Sequence, residues 1–143
     1  MNCTRDLKKV ATHLPAVLNR GGFVTWVVMP PVCLWEVASL LKGNFRVGLR
    51  RFRRSGTIAT VEGSLFPTYY HSLSSIRTAL GRDFELVAAE GLGALTPQPH
   101  HAGFPAQFPR LYALLLKADS AVRNSFPFNR WADHIIVTFR FKS

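Results

Sequence analysis

Tyr69-Tyr70-His71-Ser72 sets two phenols, an imidazole and a hydroxyl in four consecutive positions. At the end of an extended segment such groups can line a pocket, and a histidine there can take up a proton. The competing structural use is equally concrete: both tyrosines pack as amphipathic rings, and His71 or Ser72 caps the helix that follows. A second candidate is Glu90-Gly91-Leu92-Gly93, which follows an apolar run and has the outline of a nucleotide-binding glycine loop. Such a loop must open straight into a helix whose free N–H groups meet the ligand. Here Pro97 and Pro99 follow, and each bars the residue before it from the helical region. The third glycine of the fingerprint is also missing, so the stretch reads as a buried strand leaving a sheet through glycines. His100-His101 lacks the cysteine or carboxylate neighbours that would complete a metal site. Asp133-His134 reads as a turn or hydrogen bond at the start of a strand.

The elements that must position these residues follow from periodicity. Leu7, Val10, Ala11, Leu14, Val17 and Leu18 recur at helical spacing over 4–19 behind a Thr4 cap, with Pro15 awkward inside. After Gly21-Gly22, FVTWVVM reads as a central strand apolar on both faces, the pattern of a parallel sheet covered by helices on each side. VCLWEVASLLKG reads as a helix, and a shorter one runs through Arg54 with Phe45, Leu49 and Phe52 opposite the arginines. TIATVEGSLFPTYY has the alternation and central glycine of a hairpin, and HSLSSIRTALGR is a helix capped by Ser72 or Ser74. Phe84 to Leu95 is a strand, TPQPHHAGFPAQFP a proline-rich loop, and RLYALLLKADSAVR a helix with Leu111, Leu114, Leu115, Ala118 and Val122 inward. WADHIIVTFRFK closes the chain as a strand. This alternation predicts an α/β fold with a largely parallel sheet, in one domain without a linker or an internal repeat.

The 143 residues, 48% hydrophobic and 18% charged, suffice for one domain with a core and exclude a disordered chain. They also suggest more apolar area than one small domain covers. The net charge of +10 draws nucleic acid, anionic lipid or acidic substrates wherever it clusters. It does cluster, at Arg46, Arg50, Arg51, Arg53 and Arg54. Cys3 and Cys33 have neither metal spacing nor a disulfide framework and read as reduced thiols, which points to the cytoplasm. The N-terminus carries charges where a signal peptide needs apolar residues, and Pro30-Pro31 breaks the most apolar run, so no membrane span is expected.

Taken in order, these segments resemble the C-terminal half of a class I S-adenosylmethionine-dependent methyltransferase of the type 11 kind. The stretch through LNRGGFVTWVVMP is similar to that family's approach to its fifth strand, with Arg20 where a proline is usual. CLWEVASLL and the arginine-rich helix look like the cap after that strand, a cap-like insertion over about 31–66. PTYYHSLSSIRTALGRDFELVAAEGLG resembles the helix leading into a late strand, and WADHIIVTFRF the closing strand. The resemblance implies that Phe84–Leu95 and Trp131–Lys142 pair as an antiparallel hairpin at the sheet edge.

It implies a Rossmann-like fold represented by its C-terminal half only: three main sheet strands, helices and a small hairpin, in a single partial domain over 1–143. The family's cofactor loop lies upstream, after the first strand, so S-adenosylmethionine is expected in the complete protein and not on this chain alone, which is expected to be inactive. The expected partners are a small-molecule methyl acceptor and a missing N-terminal half or complementary chain; a truncated gene product or a remnant is the other reading of the same half. His71 and Tyr70 become the catalytic candidates, His71 taking a proton as the methyl group arrives, with Tyr69, Trp35 and Glu36 on the acceptor side. The bland alternatives are a core Trp35 and a solvated Glu36. A rival from a different class is a non-catalytic basic module whose Arg46–Arg54 helix binds anionic lipid or nucleic acid.

Overall fold

The computed structural model describes residues 2–53, 56–61, 63–97 and 103–142. The first helix, α1, covers only Leu7–Ala11, with the Asp6 carboxylate accepting from the Lys9 N–H at 3.1 Å as its cap, in place of the expected Thr4. Pro15 is the reason for its shortness: the chain continues as a 3-10 turn over Leu14–Ala16 instead of extending the helix to residue 19. Gly21, at φ +79°, then turns the backbone so that its N–H reaches the Phe141 carbonyl while Phe141 donates to Gly22, both at 2.8 Å. That clasp delivers the chain into β1, Phe23–Val28.

A lobe follows β1. Helix α2 (Leu34–Leu41) leads to the short α3 (Phe45–Gly48), whose Asn44 cap accepts from Val47, and then to a 3-10 turn over Arg50–Phe52. Strands β2 (Thr57–Val61) and β3 (Ser64–Thr68) pair as the expected hairpin. Helix α4 (Leu73–Leu80) is capped by Ser72, whose hydroxyl accepts from Ser75, and runs through a 3-10 turn into β4 (Phe84–Leu92). Two further helices, α5 (Phe104–Gln107) and α6 (Pro109–Val122), precede the last strand, β5 (His134–Phe141). The proline-rich loop is therefore partly helical, and His100-His101 lies outside the described residues, as does Arg54.

The fold is mixed α/β. The main sheet has the order β1-β5-β4, with β5 antiparallel to both neighbours, so that β1 and β4 run parallel on either side of it. The expected antiparallel pairing of the two late strands is present, with a register irregularity between Leu86 and Ala88. The expected parallel ladder is not: among the described residues every strand pairing is antiparallel, and β1 is paired on one side only. The core lies on one face, where Trp26, Val28, Ile135, Val137, Phe139, Phe141 and Phe84 meet Leu7 and Ala11 of α1 and Leu73, Ile76 and Leu80 of α4. On the opposite face Phe23 is 59% and Val27 48% exposed. The doubly covered strand read from FVTWVVM is thus covered once.

Cross-strand partners share a face, which defines this open side as three rows: Phe23–Arg140–Glu85, Thr25–Thr138–Ala88 and Val27–Ile136–Glu90. Arg140 reaches Glu85 at 2.7 Å and the Thr25 and Thr138 hydroxyls meet at 3.0 Å. Of the α6 residues expected inward, Leu115, Ala118 and Val122 are half-buried, whereas Leu111 and Leu114 are exposed.

Candidate functional site

The carboxyl ends of β1 and β4 and the start of β5 come together at one end of the sheet. A buried ionic junction occupies it. Glu36, in the first turn of α2, accepts through Oε1 from Arg50 Nε at 3.0 Å, Arg50 Nη2 at 2.7 Å and Arg51 Nε at 2.7 Å. Arg51 also donates from Nη1 to the Pro30 and Asp133 carbonyls, at 3.2 and 2.9 Å, and from Nη2 to Asp133 Oδ1 at 2.6 Å. One guanidinium therefore ties the exit of β1, the start of α2 and the entry to β5. The planar fork of arginine suits that task, since each nitrogen meets a different oxygen.

Electrostatics follow from this packing. Burial alone would depress the Arg51 guanidinium, but Glu36 and the other acceptors around it outweigh that and push it up. Hydrogen bonding to Glu36 likewise raises Arg50. Burial works to raise the Asp133 carboxyl, yet the hydrogen bonds from His134 and Arg51 hold it at about 2. Burial pushes the Cys33 thiol up against the pull of Arg51, leaving it a protonated, unreactive core group. Glu36 Oε2 and Trp35 Nε1 are buried without a hydrogen-bond partner at the same helix start.

Of the sequence-derived candidates, Glu36 and Tyr70 belong to this junction. Glu36 is not the solvated residue its helix position suggested but a buried member of the ion network. The Tyr70 ring lies under Arg51, with the guanidinium carbon 5.4 Å from its centroid, and its hydroxyl meets Thr57 Oγ1 at 2.9 Å. Trp35 is half-buried beside Glu36. Tyr69 is fixed through its backbone, its N–H donating to the Asn2 carbonyl at 2.7 Å and its own carbonyl accepting from Asn2 Nδ2 at 2.5 Å.

His71 stands apart. It is buried, its N–H donates to the Met29 carbonyl at 3.1 Å, and its Nε2 meets the Thr4 carbonyl at 2.9 Å. A carbonyl can only accept, so Nε2 carries the hydrogen and Nδ1 is the basic nitrogen of the neutral ring. Burial lowers its pKa, offset in part by the Thr4 hydrogen bond. His71 lines an open groove of about 490 Å³ between α1 and α4, shared with Arg5, Asp6, Ser74 and Thr78. Ser72 caps α4, as the structural reading of the tetrad requires.

The glycine turn has a different occupant from the one its outline suggests. The N–H groups of Gly93, Ala94 and Leu95 do point inward at an anion, at 3.1, 2.9 and 2.9 Å, but the anion is the buried Asp119 carboxylate of α6. Gly91 leaves no spare room, because a Cβ there would run into the Phe128 carbonyl. With its N–H groups taken by Asp119 and the space at Gly91 closed by the Phe128 carbonyl, this turn does not fit S-adenosylmethionine.

Arg51 was read from the sequence only as one arginine of the basic cluster and Asp133 only as a turn or hydrogen bond at a strand start, which its contacts with Arg51 and His134 bear out, while Asp119 was not singled out. A signal for the first existed: Glu36 is the sole acidic residue between Asp6 and Glu62, set in the segment that carries the arginine run. Among the described residues no cluster of three metal-ligating side chains occurs, and no helix is long and apolar enough to cross a membrane. No protein-family model matches the chain, and no curated protein matches it in sequence.

Proposed function

We propose that this chain is the C-terminal, acceptor-side half of a class I S-adenosylmethionine-dependent methyltransferase domain, acting in the cytoplasm on a small-molecule acceptor once a donor half is supplied. The observation that carries the reading is the sheet: a late antiparallel pair, β4 and β5, beside a β1 that has a free edge and an uncovered apolar face where further strands and helices of such a domain would lie. In this proposal the chain's own part is to shape the acceptor side. Tyr70 and Glu36, both held by Arg51 at the carboxyl end of β1, form the wall, with Trp35 beside Glu36 in α2 and Tyr69 adjoining. His71 lies outside that wall, in the groove between α1 and α4, and is the candidate proton acceptor, kept neutral by burial with Nδ1 as its basic nitrogen. The apolar cap residues favour a hydrophobic acceptor. In this reading donor binding falls to a donor half, because the glycine turn here is already filled by Asp119.

The test begins with the DNA upstream of the Met1 codon. The reading expects an in-frame segment encoding a strand followed by Gly-x-Gly-x-Gly, or a separate chain that supplies it. Calorimetry should then find S-adenosylmethionine binding to the extended or coexpressed protein and none to the 143-residue chain. An extended protein or complex that fails to bind S-adenosylmethionine, or the absence of any such segment upstream or in a partner chain, overturns the proposal.

A further inference from the structure

The lobe formed by α2, α3 and the 3-10 turn is folded with its rings outward. Phe45, Leu49 and Phe52 recur at spacings of four and three, which sets them in one stripe. They are 65%, 47% and 55% exposed, and Leu41 at the end of α2 is 85% exposed. The inward side is taken by other groups. Gly48 packs so closely on Leu40 and the Glu36 carbonyl that a Cβ would collide, and Arg51 is buried in the ion network. The sequence pattern set Phe45, Leu49 and Phe52 opposite the arginines; the lobe instead buries one arginine and exposes the apolar stripe.

Beside that stripe runs a second one. Arg46, Arg50 and Arg53 follow the same spacing one residue on, exposed, with Lys42 close by in the chain. Ile58 and Leu65 add exposed apolar side chains on one face of the hairpin, through Ile58↔Pro67 and Thr60↔Leu65, and the hairpin base is joined to the turn by the Arg51–Tyr70–Thr57 contacts.

We propose that this lobe docks on an anionic phospholipid surface, the apolar stripe entering the headgroup boundary and the basic stripe meeting lipid phosphates. Charge complementarity selects this occupant. A second copy would bring Lys42, Arg46 and Arg53 against their own like charges, and a nucleic acid would leave Leu41, Phe45, Leu49 and Phe52 in water. Docking of this kind is reversible and depends on both terms, because a few side chains in the interface do not anchor a protein alone. The inference does not depend on the methyltransferase reading, since it uses only surface groups of this chain.

Flotation of the full chain with phosphatidylcholine vesicles, with and without about a third of phosphatidylserine, tests it; unbound or aggregated protein stays at the bottom of the gradient. Recovery with the anionic vesicles should exceed that with neutral ones by at least about tenfold, and should fall as salt is raised. Phe45→Ser with Phe52→Ser should abolish recovery without lowering the melting temperature, and Arg46→Gln with Arg53→Gln should remove the preference for anionic lipid. Phe23→Ser, on the open sheet face, should leave recovery unchanged. Equal recovery with neutral vesicles, no recovery, loss of recovery in Phe23→Ser, or undiminished recovery in the Phe45/Phe52 variant would each overturn the proposal. So would retention of DNA by the chain in place of vesicles.

Discussion

Arg51 satisfies four oxygens from three elements, so its removal leaves the buried Glu36 only the half-exposed Arg50, leaves Asp133 without its guanidinium, and strips the Pro30 and Asp133 carbonyls of this donor. Arg51→Ala should therefore cost about 3–5 kcal/mol in denaturant unfolding, and Arg51→Lys should recover little of it, since an ammonium cannot reproduce the fork. A loss below about 1 kcal/mol would mean the junction is not structural. Asp133 adds a pH dependence. Its folded pKa, about 2, is depressed, so its contribution is present above the unfolded carboxylate value and is lost as pH falls toward 2. Partial solvation trims that contribution to on the order of 1–2 kcal/mol, and Asp133→Asn should flatten this acid limb. His71 titrates earlier. Its folded pKa is lowered, so below the ordinary histidine range the unfolded chain takes up a proton that the folded one resists, and stability drops as pH falls through the lowered value. His71→Gln should abolish that earlier slope, and in the complete enzyme it should also slow turnover by about a hundredfold or more if Nδ1 takes the proton; unchanged turnover would remove His71 from the chemistry. At this scale the sequence marked residue types but not their pairing. Nothing in RRFRR indicates which arginine turns inward, because that is decided by the distance from Glu36 across a turn.

Caps and breakers made several elements readable: Ser72 opens α4, Gly43 follows α2, and the glycine at 63 marks the β2–β3 turn. Helix α6 was legible as a helix, but its inward side only in part: Leu115, Ala118 and Val122 are half-buried. A period of 3.6 identifies a stripe of leucines without naming the surface that covers it, and in this chain Leu111 and Leu114 remain in water. What fastens α6 is Asp119, whose carboxylate takes three N–H groups from the turn after β4. Asp119→Ala should strand those donors at a cost of about 1–3 kcal/mol. Hydrogen exchange offers the sharper measurement: α6 amides should lose protection while those of β5 keep theirs, because β5 is held from both sides by the sheet. Equal protection of α6 in the variant and the parent would show that the helix is held by other contacts.

In the molecule taken whole, the mismatch between pattern and cover is concentrated on β1. FVTWVV has apolar residues on both faces, which suits a strand enclosed by helices, yet α1 and α4 enclose one face and leave Phe23 and Val27 exposed beside an edge paired only to β5. The antiparallel pairing of β4 with β5 was implied by the family resemblance, as was an unpaired edge on FVTWVVM in a half domain, whereas the pattern of that strand alone pointed to a central position, because a strand's own residues do not say how many neighbours it has. An apolar edge with unpaired N–H and C=O groups is a template for another strand. The 143-residue chain alone should accordingly self-associate, with sedimentation velocity giving species that grow with concentration. Val27→Lys, which puts a charge on the open face next to that edge, should suppress the association without disturbing Trp26 and Val28 on the buried face. A complementary chain that adds a strand to β1 and covers the rows from Phe23 to Glu90 should do the same and yield a monodisperse complex, and Val27→Lys should weaken that complex too. A monodisperse monomer with one sharp cooperative melt would contradict this account, because it would mean that the uncovered face and free edge of β1 are stable in water as they stand.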